Sequence, residues 1–280
     1  MKISMRLVGI FCFYSISILI CLGAGAQDSS SKRSDNLFHA TPKAAMRQFV
    51  TDRPDATESP YTLDAGHFQL ETDLFKTERS EVAGIKTTMN YYNVANIKLG
   101  ITSSLDIQVI AGSFFTSKIS DGVHFNKQSG FGGLTIRAKQ NLWGNDGGKT
   151  AAALLPFVNI PTSSSERFSG GVVLPVAVEL PDGWGLGAQI EIDIADDQQG
   201  SNYHLDYLAS GTISHSLFKN LDFFTEGVIT RDSETRAFDY FLDAGLVCSL
   251  KKNINADCGF YYGLRKTSSK TFFIGLSFRL

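Results

Sequence analysis

From Gly66 to Leu280 the chain alternates apolar residues with polar or small ones in segments of about ten residues, the two-residue period of a strand whose faces meet different surroundings. Phe68, Leu70, Thr72 and Leu74 set against His67, Gln69, Glu71 and Asp73 are one instance. Leu186, Ala188, Ile190, Ile192 and Ile194 against Gly185, Gly187, Gln189, Glu191 and Asp193 are another. Beyond the first two dozen residues no apolar run approaches the roughly 18 residues that a helix needs to cross a bilayer. Any membrane span must therefore be made of strands. The pattern predicts twelve, near 66–77, 89–101, 105–115, 130–142, 150–160, 171–180, 184–195, 203–214, 221–230, 238–250, 254–264 and 270–280.

A soluble sandwich also alternates, so the connections decide between the two. Linkers after even-numbered strands are short, as in Thr102-Ser103-Ser104, Pro181-Asp182-Gly183 and Lys251-Lys252-Asn253. Those after odd-numbered strands are mostly longer and very polar, as in 78–88, 116–129, 161–170 and 231–237. Sorting by parity is what an outer-membrane barrel requires, with short periplasmic turns on one rim and longer loops on the other. Aromatic residues sort the same way. Phe75, Tyr91-Tyr92, Phe114-Phe115, Tyr203, Tyr240-Phe241, Tyr261-Tyr262 and Phe272-Phe273 fall at the loop ends of their strands, and Trp143 and Trp184 at the turn ends, as two interfacial girdles would. The fold class expected is all-β: a transmembrane up-and-down antiparallel β-barrel of about 12 strands in the bacterial outer membrane.

Three segments are expected. Residues 1–26 read as a secretory signal peptide, with Lys2 and Arg6 ahead of an apolar stretch and Ala24-Gly25-Ala26 as the cleavage site. Ile20 before Cys21 argues against a lipoprotein. Residues 27–65 are a polar, proline-containing periplasmic leader, and 66–280 the barrel. Cleavage leaves 24 basic against 28 acidic side chains, which gives no footprint for nucleic acid. It also leaves two cysteines, Cys248 and Cys258, in an oxidising compartment. They flank the turn after strand ten and are candidates for a disulfide if they lie directly opposite. A diagonal placement would make them two small lipid-facing residues.

The segment Asp52-Arg53-Pro54-Asp55-Ala56-Thr57-Glu58-Ser59-Pro60, followed by Gly66-His67-Phe68-Gln69-Leu70-Glu71, resembles the opening of the outer-membrane family called “putative MetA-pathway of phenol degradation”. Gly132-Gly133-Leu134-Thr135-Ile136-Arg137-Ala138-Lys139 and Leu154-Leu155-Pro156-Phe157-Val158-Asn159-Ile160-Pro161-Thr162 resemble its middle strands. The resemblance implies a monomeric barrel that passes small compounds, aromatic ones among them. It carries over no catalytic residue and no cofactor.

Strand parity assigns Glu71, Asp73, Lys98, Asp106, Arg137, Lys139, Glu179, Glu191, Asp193, Asp206, Glu226, Asp243 and Arg279 to the lumen. Acids outnumber bases, so the wall reads either as an electronegative path for cations and neutral solutes or as a salt-bridge network that fills the interior. The leader reads either as a free tail or as a segment whose Asp52, Arg53, Asp55 and Glu58 enter the lumen as a plug. Enzyme chemistry is not expected. His204 with Asp206 and Ser210 lacks a nucleophile motif, Asp196-Asp197 reads as a solvated charge pair, and no metal site is expected. The function expected is diffusion of small, aromatic or hydrophobic solutes through a narrow lumen, with a structural or adhesive barrel acting through its outer loops as the alternative. The expected partners are outer-membrane lipid, the solute and the barrel assembly machinery.

Overall fold

The computed structural model describes residues 35–162, 167–197 and 202–280, so the signal peptide assigned to 1–26 and the start of the leader lie outside the described residues. Alternation becomes a wall of β1 (Phe68–Val82), β2 (Ile85–Thr102), β3 (Leu105–Ala111), β4 (Phe114–Ser120), β5 (Phe125–Phe131), β6 (Leu134–Trp143) and β7 (Thr150–Ile160). It continues through β8 (Ser169–Glu179), β9 (Trp184–Asp196), β10 (Tyr203–Phe218), β11 (Leu221–Arg231), β12 (Phe238–Lys251), β13 (Ile254–Gly263) and β14 (Lys270–Arg279). Neighbours pair antiparallel, and β1 closes the ring by pairing with both β14 and β2. Two crossings are each broken in two. β3 and β4 both pair with β2, β3 also pairs with β6, and β4 also pairs with β5. The fourteen segments therefore make a closed barrel of twelve strands. The breaks meet at Gly112 and Gly132, where a Cβ on either would lie 2.8 Å from the other's Cα. The backbones touch there, which only glycine permits.

The period places the apolar row on the outer wall and the polar row in the lumen. Ile190 is 51% exposed, whereas the next residue back, Gln189, is 3% exposed. At the loop end, Phe75, Tyr92, Phe114 and Phe131 form a line of rings across neighbouring strands with centroids 5.6, 6.1 and 5.9 Å apart. This matches an interfacial girdle.

Two details differ from the sequence expectations. Residues 78–88 and 116–129 are mostly not loops: β1 and β2 run on to a two-residue turn at Ala83-Gly84, and β4 and β5 leave only 121–124 between them. Polar residues on both faces had hidden these strand ends, because beyond the bilayer both faces meet water. Second, the paired aromatics do not all face outward. Tyr261 and Phe273 point inside with centroids 5.1 Å apart, since consecutive strand residues take opposite faces.

Of the two placements the sequence left open for Cys248 and Cys258, the structure has the diagonal one. Cys248 lies opposite Ala256 and Cys258 opposite Leu246, because a register shift between Ser249 and Lys251 offsets the hairpin. Both thiols are free. Diagonal side chains stand about 7–8 Å apart, beyond disulfide reach.

Candidate functional site

The leader turns inward before the first strand. Its entry is fixed where Thr41 N–H donates to the Ala65 carbonyl at 3.0 Å and His67 Nε2 meets the Thr41 carbonyl at 2.7 Å. Arg47 Nε donates to Asp64 at 2.8 Å, and Arg279 reaches the other Asp64 oxygen at 3.2 Å. Past this clasp, residues 50–63 cross the lumen and bond to the wall on several sides. The Leu63 N–H donates to Asp106 and the Thr62 N–H to Asn145, both at 2.9 Å. Asn141 donates to the Pro60 carbonyl at 2.9 Å. On the far side, Tyr261 donates its hydroxyl to the Pro54 carbonyl at 2.5 Å. A leader without regular structure cannot pair its own backbone, so these wall groups satisfy it. Gly275 clears the way: a Cβ there would run into the Arg53 guanidinium.

Charge organises the contact. Asp52 sits between two lumen lysines, with Lys98 Nζ 2.5 Å from one oxygen and buried Lys139 on the other, and its own N–H donates to Glu71 at 3.1 Å. Glu58 pairs with Arg137, and the Glu58 N–H donates to Gln189 Oε1 at 2.7 Å. Arg53 bridges Asp73 at 2.5 Å and Asp257 at 2.6 Å. Glu226 accepts the N–H groups of Ala56 at 2.7 Å and Thr57 at 2.8 Å, together with the Thr57 hydroxyl. Burial pushes the Asp52 carboxyl up, but Lys139, Lys98 and Arg137 outweigh it and hold the group well below the usual carboxylate range. Asp55 is the reverse case. Burial pushes its carboxyl well up, and Glu226 beside it adds to the effect.

The lumen is thereby divided by charge. Lys98, Arg137 and Lys139, from β2 and β6, are met by carboxylates of the leader, with Glu71 also on Lys98. Across from them, Glu191, Asp193, Glu226 and Asp243 on β9, β11 and β12 have no ion-pair partner within 4.0 Å among the described residues. Asp193 is directly opposite Asp206, and Glu226 directly opposite Asp243. Ionised side chains in such facing positions repel each other, so these pairs concentrate negative charge on this side of the lumen.

Free volume lies on both sides of the leader. A cavity of about 180 Å³ on the loop side is lined by Asp73, Val94, Ile110, Arg137 and Tyr261. Two of about 380 and 530 Å³ open toward the turns, one by Arg47 and Asn145, the other by Trp184 and Phe224. Arg53, Pro54 and Asp55 line both the 180 Å³ and the 530 Å³ cavities. The partition between them is that thin.

Of the residues assigned to the lumen, Glu71, Asp73, Lys98, Asp106, Arg137, Lys139, Glu226, Asp243 and Arg279 are buried inside, and Glu191, Asp193 and Asp206 are half-buried. Glu179 is exposed at the turn-side rim, lining the two cavities there. Asp52, Arg53, Asp55 and Glu58 lie together at the centre. Sequence reading left out Asp257, which strand parity could have placed beside Asn255 and Tyr261. Gln108, on the inner face by the same parity, gains a role as the acceptor for Arg137 Nε at 3.0 Å, and Arg47 was left out because its role depends on folding back onto Asp64.

Comparison with known proteins gives the arrangement a setting. A family model described as “Putative MetA-pathway of phenol degradation” matches residues 51–280. No individually curated protein matches the chain. The solved COG4313 outer membrane channel from Pseudomonas putida F1 is similar in structure, with a TM-score of 0.59 and 11% identity over 82% of this chain and 100% of that one. The NanC porin superposes with a TM-score of 0.51 and 10% identity over 75% of this chain and 100% of that one. At such identities the likeness is one of fold: a closed barrel of the bacterial outer membrane.

Proposed function

The chain belongs to the family described as “Putative MetA-pathway of phenol degradation”, and on that premise we propose that it is a narrow outer-membrane channel whose leader acts as a plug, leaving an acidic lane along β9–β12 for cations and small neutral solutes. The observation that carries this reading is the unequal pairing of lumen charge. Every buried lumen base named above is held by a carboxylate, while Glu191, Asp193, Glu226 and Asp243 have no ion-pair partner within 4.0 Å among the described residues. A fixed row of carboxylates in a confined path attracts cations and repels anions.

Small aromatic solutes fit the same reading. The loop-side cavity combines Val94, Ile110 and the Tyr261 ring with hydrogen-bonding groups, the surface a phenol-like molecule would need, and the family description names phenol degradation. The thin partition at Arg53-Pro54-Asp55 is the place where such a solute would pass. No catalytic step is assigned to the protein, and assembly is assigned to the barrel assembly machinery that inserts such barrels.

The test is conductance in planar bilayers with the mature chain and with a variant starting at residue 61. The mature chain is expected to give small, cation-preferring steps and the truncated chain larger ones. Unchanged conductance would remove the plug. A barrel that inserts yet passes neither ions nor small aromatic solutes would put the loop-mediated structural role in front.

A further inference from the structure

At the loop-side mouth, beyond the proposed path, the second residue of β10 holds an imidazole between two carboxylates. His204 Nδ1 is 2.8 Å from Asp197 Oδ1, a hydrogen bond, whereas Nε2 is 3.4 Å from Asp206 Oδ1, longer than a good N–H···O bond. Asp232, just after β11, completes a group whose three ligand atoms, one each from His204, Asp206 and Asp232, lie within 4.8 Å of one another. We propose that His204 Nε2, Asp206 and Asp232 bind a first-row divalent cation of the zinc type, with Asp197 as the positioning residue for the imidazole.

The geometry supplies the reasons. Two ligands about 2.1 Å from a tetrahedral ion stand about 3.4 Å apart, the spacing that separates Nε2 from Asp206. Donation of Nδ1–H to a carboxylate fixes the tautomer that leaves a lone pair on Nε2, as metal-binding histidines generally require. The carboxylates are already oriented. Asp206 Oδ1 accepts the Ser233 N–H at 3.0 Å, and Asp232 accepts the Thr235 N–H and hydroxyl at 2.9 and 2.7 Å. A carboxylate has about four lone-pair sites, so each keeps one for an ion. Three protein ligands leave the fourth tetrahedral position to water. The imidazole favours zinc, nickel or copper over magnesium or calcium, which prefer oxygen ligands. The ligands come from β10 and from the loop after β11, so an ion would tie these two outer segments together.

Calorimetric titration of the detergent-solubilised mature chain with Zn²⁺ tests this independently of conduction. One ion per chain is expected, with binding weakened at least tenfold by His204→Ala and by Asp232→Asn. Asp197→Asn should weaken it about tenfold, and Asp197→Glu should restore it. His124→Ala, on the exposed turn between β4 and β5, should change nothing, and excess Mg²⁺ should not compete. Heat-modifiable migration checks that each barrel is folded, with His204→Gln replacing any alanine variant that is not. Zn²⁺ uptake that survives both His204 and Asp232 substitutions, or that Mg²⁺ displaces, would overturn the assignment.

Discussion

Glu226 on β11 lies directly opposite Asp243 on β12, and the carboxylate of Glu226 is occupied by N–H groups of Ala56 and Thr57 from the leader. The wall thus contributes two acids where one suffices to hold the leader. Among the described residues, Asp243 Oδ1 is buried without a hydrogen-bond partner. An acid in that position costs stability, and it is accounted for if passing cations use it.

Replacing Glu191 and Asp193 together by Gln and Asn should lower cation preference, read from the reversal potential at about 0.1 M salt, where the screening length is near 10 Å. At about 1 M the screening length is near 3 Å, and mature and variant chains should converge. Equal selectivity at low salt would remove the acidic lane.

Lys139→Met should free the leader more than it harms the wall. The substitution strips Asp52 of one of its two lysines and Ser59 of a donor to its carbonyl. Loss of one partner from a buried ion pair costs about 3–5 kcal/mol. Higher conductance and protease cleavage within 47–61 are expected while the heat-modifiable barrel persists. A closed, protease-resistant leader in this variant would contradict the charge-clamp account.

Leader docking should weaken as the solution becomes alkaline. The Asp55 carboxyl is held above its ordinary value, so the folded state binds its proton more tightly than the unfolded state, whose value is about 3.9. That contribution is complete below the unfolded value and disappears as pH rises through the folded one. Conductance should therefore climb with pH in the mature chain and climb less in Asp55→Asn. Parallel pH profiles for the two would rule this out.

Ile190→Arg should cost about 2–4 kcal/mol if the residue lies near the bilayer midplane. Gln189→Ala should cost about 1 kcal/mol, because it removes the acceptor for the Glu58 N–H without placing charge in lipid. Urea titration of both in lipid vesicles checks the register. Equal losses would mean that the two faces of β9 have been exchanged.

Thiol labelling of unreduced, denatured protein should find both Cys248 and Cys258 free. A protected pair would require the β12–β13 register to slip by two residues relative to Cys248 opposite Ala256.

The wall is legible along the chain alone. A two-residue period needs only neighbours along the chain to be recognised, and the parity of the connections then distinguished a membrane barrel from a sandwich. That logic located Glu71, Lys98, Arg137, Lys139 and Glu226 on the inner face, because a strand's facing depends on local spacing alone. It misjudged β4 and β5, where water on both sides erases the alternation. Which charges meet is set by the folded arrangement of leader and barrel. Asp52 lies between Lys98 and Lys139, 46 and 87 residues away in sequence, and Arg53 reaches Asp257 across 204 residues. No local period encodes such pairings, since they depend on where an irregular leader is drawn by buried groups that must find partners. The same holds for Cys248 and Cys258, whose relation turned on one irregularity between Ser249 and Lys251, and for His204, Asp206 and Asp232, which the register of β10 against β11 brings together.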